Sequence, residues 1–321
     1  MIGISMKHLR YFQALARHRH FGRAAVACGI SQPALSVQIK ELEDTVGAPL
    51  IDRGGRQIAL TGLGEAFEAR VRDILRAVDE LGDLARAAQG PLAGRLRVGV
   101  IPTVAPYMLP AIIKALARHH PQLDLRPREA VTQKLVDDLL AGGLDAAIVA
   151  LPVSEAALTG VPLLDEEFML VRSVADAGAP VPDPEALRAM RLLLLEEGHC
   201  FREQALSFCT ATAAFPRDLV EGSSLSTLVQ MVGAGIGVTL VPEMAVAIET
   251  RSAAVAVARL PEPRPRRTIG MVWRKRNPLA DRLEQIADVC RTASTALNRA
   301  GDATGDEPWS SRGRAEDRDR P

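Results

Sequence analysis

Aromatic residues are scarce in this chain of 321 residues: Phe, Trp and Tyr together make up 3%. The core must therefore rest on Ala, Leu, Val and Ile, which the 47% hydrophobic content supplies. Cysteine is scarcer still. The four cysteines, at 28, 200, 209 and 290, are too few and too scattered for a disulfide scaffold. No CxxC or HExxH occurs, and neither a metal nor an organic cofactor is expected. No apolar run reaches the ~18 residues that span a bilayer. The opening MIGISMKHLRYFQ lacks the apolar stretch and cleavage site of a signal peptide. The expectation is a cytoplasmic protein with no membrane partner. Net charge is absent as well: 39 Lys and Arg meet 39 Asp and Glu, which argues against a uniformly basic nucleic-acid binder.

What charge there is lies unevenly. Residues 1–60 hold eight Lys/Arg against four acids, together with three of the six histidines. A basic head on a neutral or acidic body fits nucleic-acid binding by the head. Within it, Leu9, Phe12, Leu15 and Ala16 mark the apolar face of one helix, and Phe21, Ala24, Ala25 and Cys28 that of a short second one. Gly29-Ile30 is a tight turn. Ser31 caps a third helix, in which Leu35, Ile39, Leu42 and Val46 face inward at steps of 4, 3 and 4. This is a helix-turn-helix with the third helix as reader. Ser31, Gln32, Pro33, Ser36 and Gln38 are its DNA-facing candidates, Gln being suited to adenine edges and Ser to bases or phosphate. IDRGGRQIAL (51–60) reads as a hairpin with Gly54-Gly55 at its tip. It presents Arg53 and Arg56 to phosphate or the minor groove. The competing reading is a helical dimerisation domain with an incidental turn.

Residues 61–89 read as one long helix capped by Thr61. Phe67, Val71, Ile74, Val78, Leu81, Ala85 and Ala88 recur at alternating steps of 4 and 3, the seam of a two-stranded coiled coil. The alternative is a helix lying on its own domain. Gly90-Pro91 ends it.

From Arg95 onward strands alternate with helices: strands at 96–102, 123–130, 144–151, 168–173, 191–197 and 266–274, helices at 104–120, 132–143 and 278–297. Asp183-Pro184 starts another helix, and 223–247 reads as helix, Gly-rich turn, strand and helix start. The expectation is a parallel α/β sheet in two lobes with a ligand-sized cleft between them, the late strand at 266–274 returning to the first lobe. The division expected is a winged helix-turn-helix over 1–60, a linker and dimerisation helix over 61–92, and a regulatory domain over 93–300. That domain comprises two α/β subdomains, 93–165 plus 268–300 and 166–267. The chain from Asn298 is rich in Gly, Asp, Arg, Ser and Pro, and disorder is expected over 301–321.

A second constellation is LLLLEEGHCFREQALSFC (192–209). Cys200 follows a buried strand, beside His199 and two residues before Arg202. Partial exposure and nearby positive charge favour the nucleophilic thiolate. If 201–209 is helical, the rise alone separates the Cα atoms of Cys200 and Cys209 by about 13 Å, whereas a disulfide needs them within about 7 Å. Pairing would require that helix to melt. The alternative is that Cys209, next to Phe208, is a core hydrophobe. Cys28 and Cys290 read as core. Thr103 and Thr132 stand at strand-to-helix turns, where a hydroxyl is available to a small ligand; a Thr in such a place is ordinarily a helix N-cap. Arg264, Arg266 and Arg267 form a basic run at the start of the returning strand, and which of them points inward is open.

FGRAAVACGISQPALSVQIKELEDTVGAPLIDR resembles the winged helix-turn-helix of LysR-type transcriptional regulators, and the long helix and two-lobed body extend the likeness over residues 6–297. GHCFREQALSFC, VGVIPTVAPYMLP, REAVTQKLVDDLLAGGLDAAIVAL and PRRTIGMVWR are similar to the hydrogen-peroxide-responsive branch of that family. Residues 249–264 and the tail after 297 have no assigned counterpart. The resemblance implies a dimer through residues 61–89, commonly paired into a tetramer, on two half-sites of double-stranded promoter DNA, with RNA polymerase as a further partner. It implies that peroxide oxidises Cys200 to a sulfenic acid, that Cys209 condenses with it, and that glutaredoxin or thioredoxin restores the thiols. Thr103, Thr132, His199 and Arg267 would line the reacting site. Competing functions are a LysR-type regulator of a small metabolite, a thiol peroxidase, which has no need of a DNA-reading head, and a two-lobed solute-binding protein, which would need a signal peptide.

Overall fold

The computed structural model describes residues 3–52, 54, 58–88, 94–209 and 219–302, with the side chains of 79–80, 83–88, 209 and 296–302 outside that description. Residues 1–89 and 90–321 form two compact units.

In the first unit, helices α1 (Met6–His18), α2 (Phe21–Cys28) and α3 (Gln32–Val46) follow the spacing of their apolar residues. Ser31 Oγ accepts from Ala34 N at 3.3 Å and caps α3. Gly29 and Gly47 end α2 and α3 at φ +66° and +80°, a backbone state that glycine enters without a Cβ clash. Phe12, Leu15, Ala24, Leu35, Ile39 and Leu42 are buried together. Cys28, expected in this core, is only half-buried. Strands β1 (Ile51–Asp52) and β2 (Ala59–Leu60) pair antiparallel as the expected hairpin. Glu43 of α3 holds this wing, its Oε1 accepting from Leu50 N and Ile51 N at 2.8 and 3.0 Å.

Helix α4 (Gly62–Ala88) is capped by Thr61, whose Oγ1 accepts from Gly64 N at 2.9 Å. The uniform coiled-coil seam requires correction. Phe67 packs edge-on against Phe12, ring centroids 5.4 Å apart, and Val71 and Leu75 are buried in the same core. The first turns of α4 therefore lie on their own domain. On the face turned away from that core, Ile74 and, farther along, Leu81 are 46% and 63% exposed. The 3.5-residue spacing cannot tell the two situations apart, because both need an apolar stripe.

In the second unit, β3 (Gly94–Val100), α5 (Ala105–His119), β4 (Leu123–Glu129), α6 (Thr132–Leu140) and β5 (Ala146–Leu151) build the first lobe, with β4, β3 and β5 parallel. The 16-residue strand β6 (Leu158–Ser173) then leads into the second lobe. Its residues 158–167 pair with β11 (Arg266–Arg274), and residues from Phe168 pair with β9 (Val238–Pro242) and β10 (Val255–Arg259). The second lobe also contains α7 (Pro184–Ala189), β7 (Leu192–Leu195), α8 (Cys200–Cys209), β8 (Leu219–Gly222), α9 (Leu225–Gly233) and α10 (Glu243–Glu249).

A wholly parallel sheet is not what forms. β11 runs antiparallel to both β5 and β6, and β6 runs antiparallel to β9 and β10. A strand that returns from the second lobe enters the first sheet from the opposite end, which fixes that direction. Helix α11 (Ala280–Asp302) runs past Asn298 into the segment expected to be disordered, and residues 303–321 lie outside the described residues. Among the described residues no helix is long and apolar enough to cross a membrane.

Candidate functional site

The described candidate residues gather in two places, one in each unit. On α3, Gln32, Pro33 and Ala34 are exposed in the first turn, Ser36 and Gln38 are half-buried, and Leu35, Ile39 and Leu42 face the core. Gln38 Nε2 donates to Glu41 Oε2 at 2.6 Å, and Ser31 Oγ is engaged by its capping bond. Among the described candidates, Gln32 is thus exposed and neither caps the helix nor bonds to Glu41. Arg53 and Arg56 lie outside the described residues, as do Gly55 and Gln57.

In the second unit, β7 delivers the chain to a turn at Glu196–Gly198. Gly198 sits at φ +93°, and a Cβ built there would lie 4.0 Å from Val131 Cγ2. This turn therefore approaches α6 of the first lobe. It is followed by His199 and by Cys200, the first residue of α8, where the helix terminus favours negative charge. Cys200 is a free, half-buried thiol. Burial lowers the pKa of His199 below the ordinary 6.5, against the opposing pull of Glu196 and Glu129. Arg202 does not aim a free charge at the thiol: its Nη1 donates to Leu195 O at 2.9 Å and pairs with Glu221 at 2.7 Å.

Cys200 and Cys209 bound one helix, so the rise between their Cα atoms is about 13 Å. The side chain of Cys209 lies outside the described residues. Cys290 is buried on α11 and its thiol is pushed up to about 12.

Neither threonine acts as the N-cap its position suggests. The caps of α5 and α6 are Val104 and Val131, without side-chain bonds. The Thr132 hydroxyl is buried and has no protein hydrogen-bond partner, which leaves it available to a small polar ligand or a water. Thr103 is buried, and its Oγ1 accepts from Arg267 Nη1 at 2.8 Å while its carbonyl accepts from Nη2 at 3.0 Å. The arginine question is settled by burial: Arg266 is exposed, Arg264 half-buried, and Arg267 only 3% exposed. The guanidinium of Arg267 also lies over the Phe201 ring, 5.3 Å from its centroid, and Phe201 meets Phe168 edge-on at 4.8 Å. Thr103, Arg267 and the residue after Cys200 therefore form one cluster.

Two acids here lie outside the set that the sequence singles out. Glu166 accepts from Arg267 Nε at 2.7 Å with both side chains fully buried, and from Met244 N at 3.2 Å. Burial pushes its carboxyl up, against the Arg267 charge. Glu249 accepts from Tyr107 Oη and from Ser226 Oγ, each at 2.6 Å.

Two family models match the chain in succession: "Bacterial regulatory helix-turn-helix protein, lysR family" over residues 6–65 and "LysR substrate binding domain" over 89–295. A Streptomyces viridosporus protein named "Probable hydrogen peroxide-inducible genes activator" is 41% identical over 297 residues, 91% of this chain and 95% of the relative. Among solved structures, a full-length OxyR from Pseudomonas aeruginosa carrying a cysteine-to-aspartate change is 38% identical with a TM-score of 0.69, covering 90% of this chain and 95% of that one. A Corynebacterium glutamicum OxyR carrying a cysteine-to-serine change, with hydrogen peroxide bound, is 33% identical with a TM-score of 0.65, covering 94% and 96%.

Proposed function

The chain belongs to the LysR family of bacterial helix-turn-helix regulators, in its OxyR branch, and from that premise we propose that it is a DNA-binding activator in which Cys200 senses hydrogen peroxide and pairs with Cys209. The observation that carries the reading is that one helix begins at the first cysteine and ends at the second. No disulfide fits that geometry, so oxidation must unwind α8 and the change reaches the rest of the regulatory lobe.

The chemistry follows from the residues present. The Cys200 thiolate attacks one peroxide oxygen. An S–O bond forms as the O–O bond breaks, and the leaving oxygen departs as hydroxide and is protonated to water. Thr103 and Thr132 hold the peroxide, and the buried Thr132 hydroxyl, which has no protein partner, supports a polar ligand beside it. His199 donates to the leaving oxygen. Cys209 then attacks the sulfenic sulfur, expelling a second hydroxide and closing the disulfide. A dithiol reductant of the glutaredoxin or thioredoxin class returns two electrons and resets both thiols. Gln32, Ser36 and the wing arginines Arg53 and Arg56 face promoter DNA. The outer part of α4 joins two copies, which pair again into a tetramer on two half-sites. The regulator works in the cytoplasm and acts on RNA polymerase.

Thiol trapping with mass spectrometry after a brief peroxide pulse tests this. The expected product is a Cys200–Cys209 disulfide with Cys28 and Cys290 still reduced; Cys200 left as a free thiol, or oxidised but never linked, overturns it. Cys200→Ser should abolish induction by peroxide in a promoter-reporter assay.

A further inference from the structure

We propose that Glu166 is a positioning residue of the peroxide reaction: it fixes the Arg267 guanidinium so that Thr103 presents its hydroxyl proton to the peroxide. The inference rests on the peroxide-sensing reading above and names a residue that never touches the oxidant.

The geometry allows Arg267 little choice. Nε and Nη2 meet the Glu166 carboxylate at 2.7 Å. Nη1 is left for Thr103 Oγ1 at 2.8 Å, and Nη2 also reaches the Thr103 carbonyl at 3.0 Å. A threonine hydroxyl has one proton and two lone pairs. Because Oγ1 accepts from Arg267, its own proton is free to be donated elsewhere. A donor aimed at the oxygen that gains charge as O–O breaks lowers the barrier, and a donor held in place costs no reorganisation. Glu166 is itself held, since its Oε2 accepts from Met244 N in the first turn of α10.

Without the carboxylate, Arg267 would be a buried cation with no counter-charge. It would turn toward other acceptors or admit water, and Thr103 would lose its fixed orientation. Glu166 lies on the strand that passes from one lobe to the other, Thr103 on the first lobe, and Met244 and Phe201 on the second. The donor is therefore oriented by groups from both lobes.

The test compares two reactions of the Cys200 thiol in the full-length protein. Oxidation by hydrogen peroxide needs the Thr103 donor, and alkylation by iodoacetamide does not. Glu166→Gln should slow oxidation by about tenfold and leave alkylation within about twofold. In a Thr103→Val background, Glu166→Gln should slow oxidation no further, because a residue acting through Thr103 has nothing left to position. Equal slowing of both reactions, or losses that multiply in the double variant, would overturn the proposal and leave Glu166 a structural acid. Should Glu166→Gln not fold, Glu166→Asp, which keeps the charge but withdraws it by one methylene, is read by the same two comparisons. If the wild-type thiol is alkylated but not oxidised by peroxide, the sensing reading itself fails, a result distinct from any effect at Glu166.

Discussion

The Tyr107 hydroxyl donates to Glu249 Oε1 at 2.6 Å, joining α5 of the first lobe to the end of α10 in the second. Glu249 is held from its other oxygen by Ser226 at the start of α9. Burial and the neighbouring carboxylate raise the Tyr107 pKa above its ordinary 10, so the phenol stays protonated and remains a donor. Tyr107→Phe keeps the ring in its apolar setting and removes one charge-assisted bond. The expected loss is about 1.5–3 kcal/mol, read as a lower urea midpoint for the regulatory unit. An unchanged midpoint would mean that the Tyr107–Glu249 bond adds nothing to the contacts that already hold the two lobes, the Arg267–Thr103 and Glu166–Met244 bonds among them.

The stripe on α4 divides into two roles, and substitutions should divide with it. Val71 is 1% exposed inside the first unit's core, so Val71→Asp buries an unpaired charge and should unfold that unit. Ile74→Glu and Leu81→Glu place charge on exposed positions. They should leave the circular dichroism spectrum intact while shifting the protein to a smaller species in light scattering. An unchanged mass for the Leu81 variant would show that α4 is not the dimer seam.

The helix-turn-helix was legible because its signals are local: Ser31, Gly29, Gly47 and an apolar residue every three or four positions fix each helix and its ends. Strand β6 was visible only from Phe168, since Gly160, Pro162, Asp165, Glu166 and Glu167 lend its first half the composition of a loop. Only pairing with β11 makes it a strand. Arg267 shares its alternation with Ile269, Met271 and Trp273, all buried, and that parity was a usable sign that it points inward. Glu166 has the same parity as Phe168 and Leu170, but the middle acid of the run Asp165-Glu166-Glu167 reads as surface until its partner, 101 residues away in sequence, is known. That Cys200 and Cys209 stand at the two ends of one helix was legible in the sequence. The setting of Cys200 was not, because Arg202 turns away to Glu221 and the oriented cation comes from another strand.

Gln32 is exposed in the first turn of α3, unlike Gln38, which is bonded to Glu41. Gln32→Ala should weaken binding to the cognate promoter by about 1–3 kcal/mol while leaving non-specific binding unchanged, as expected for lost contact with a base edge. Competition gel shifts with specific and random duplexes measure both. Equal weakening on the two would assign Gln32 to the phosphate backbone instead.

His199 makes the acid limb of stability predictable. Burial holds its folded pKa below the unfolded 6.5, so the unfolded chain binds the extra proton first as pH falls. The resulting stabilisation is fully present above pH 6.5 and is lost as pH drops toward and through the folded value. His120 is lowered by burial and by His119 beside it, and acts with the same sign. Urea midpoints measured from pH 8 to pH 5 should therefore be flat at first and then fall below about 6.5. Replacing His199 with Gln should reduce that fall without removing it, since His120 remains. A fall in the His199→Gln variant as steep as in the wild type would mean that burial does not hold the His199 pKa down, since the raised carboxyl of Glu166 and the other titrating groups are common to both proteins.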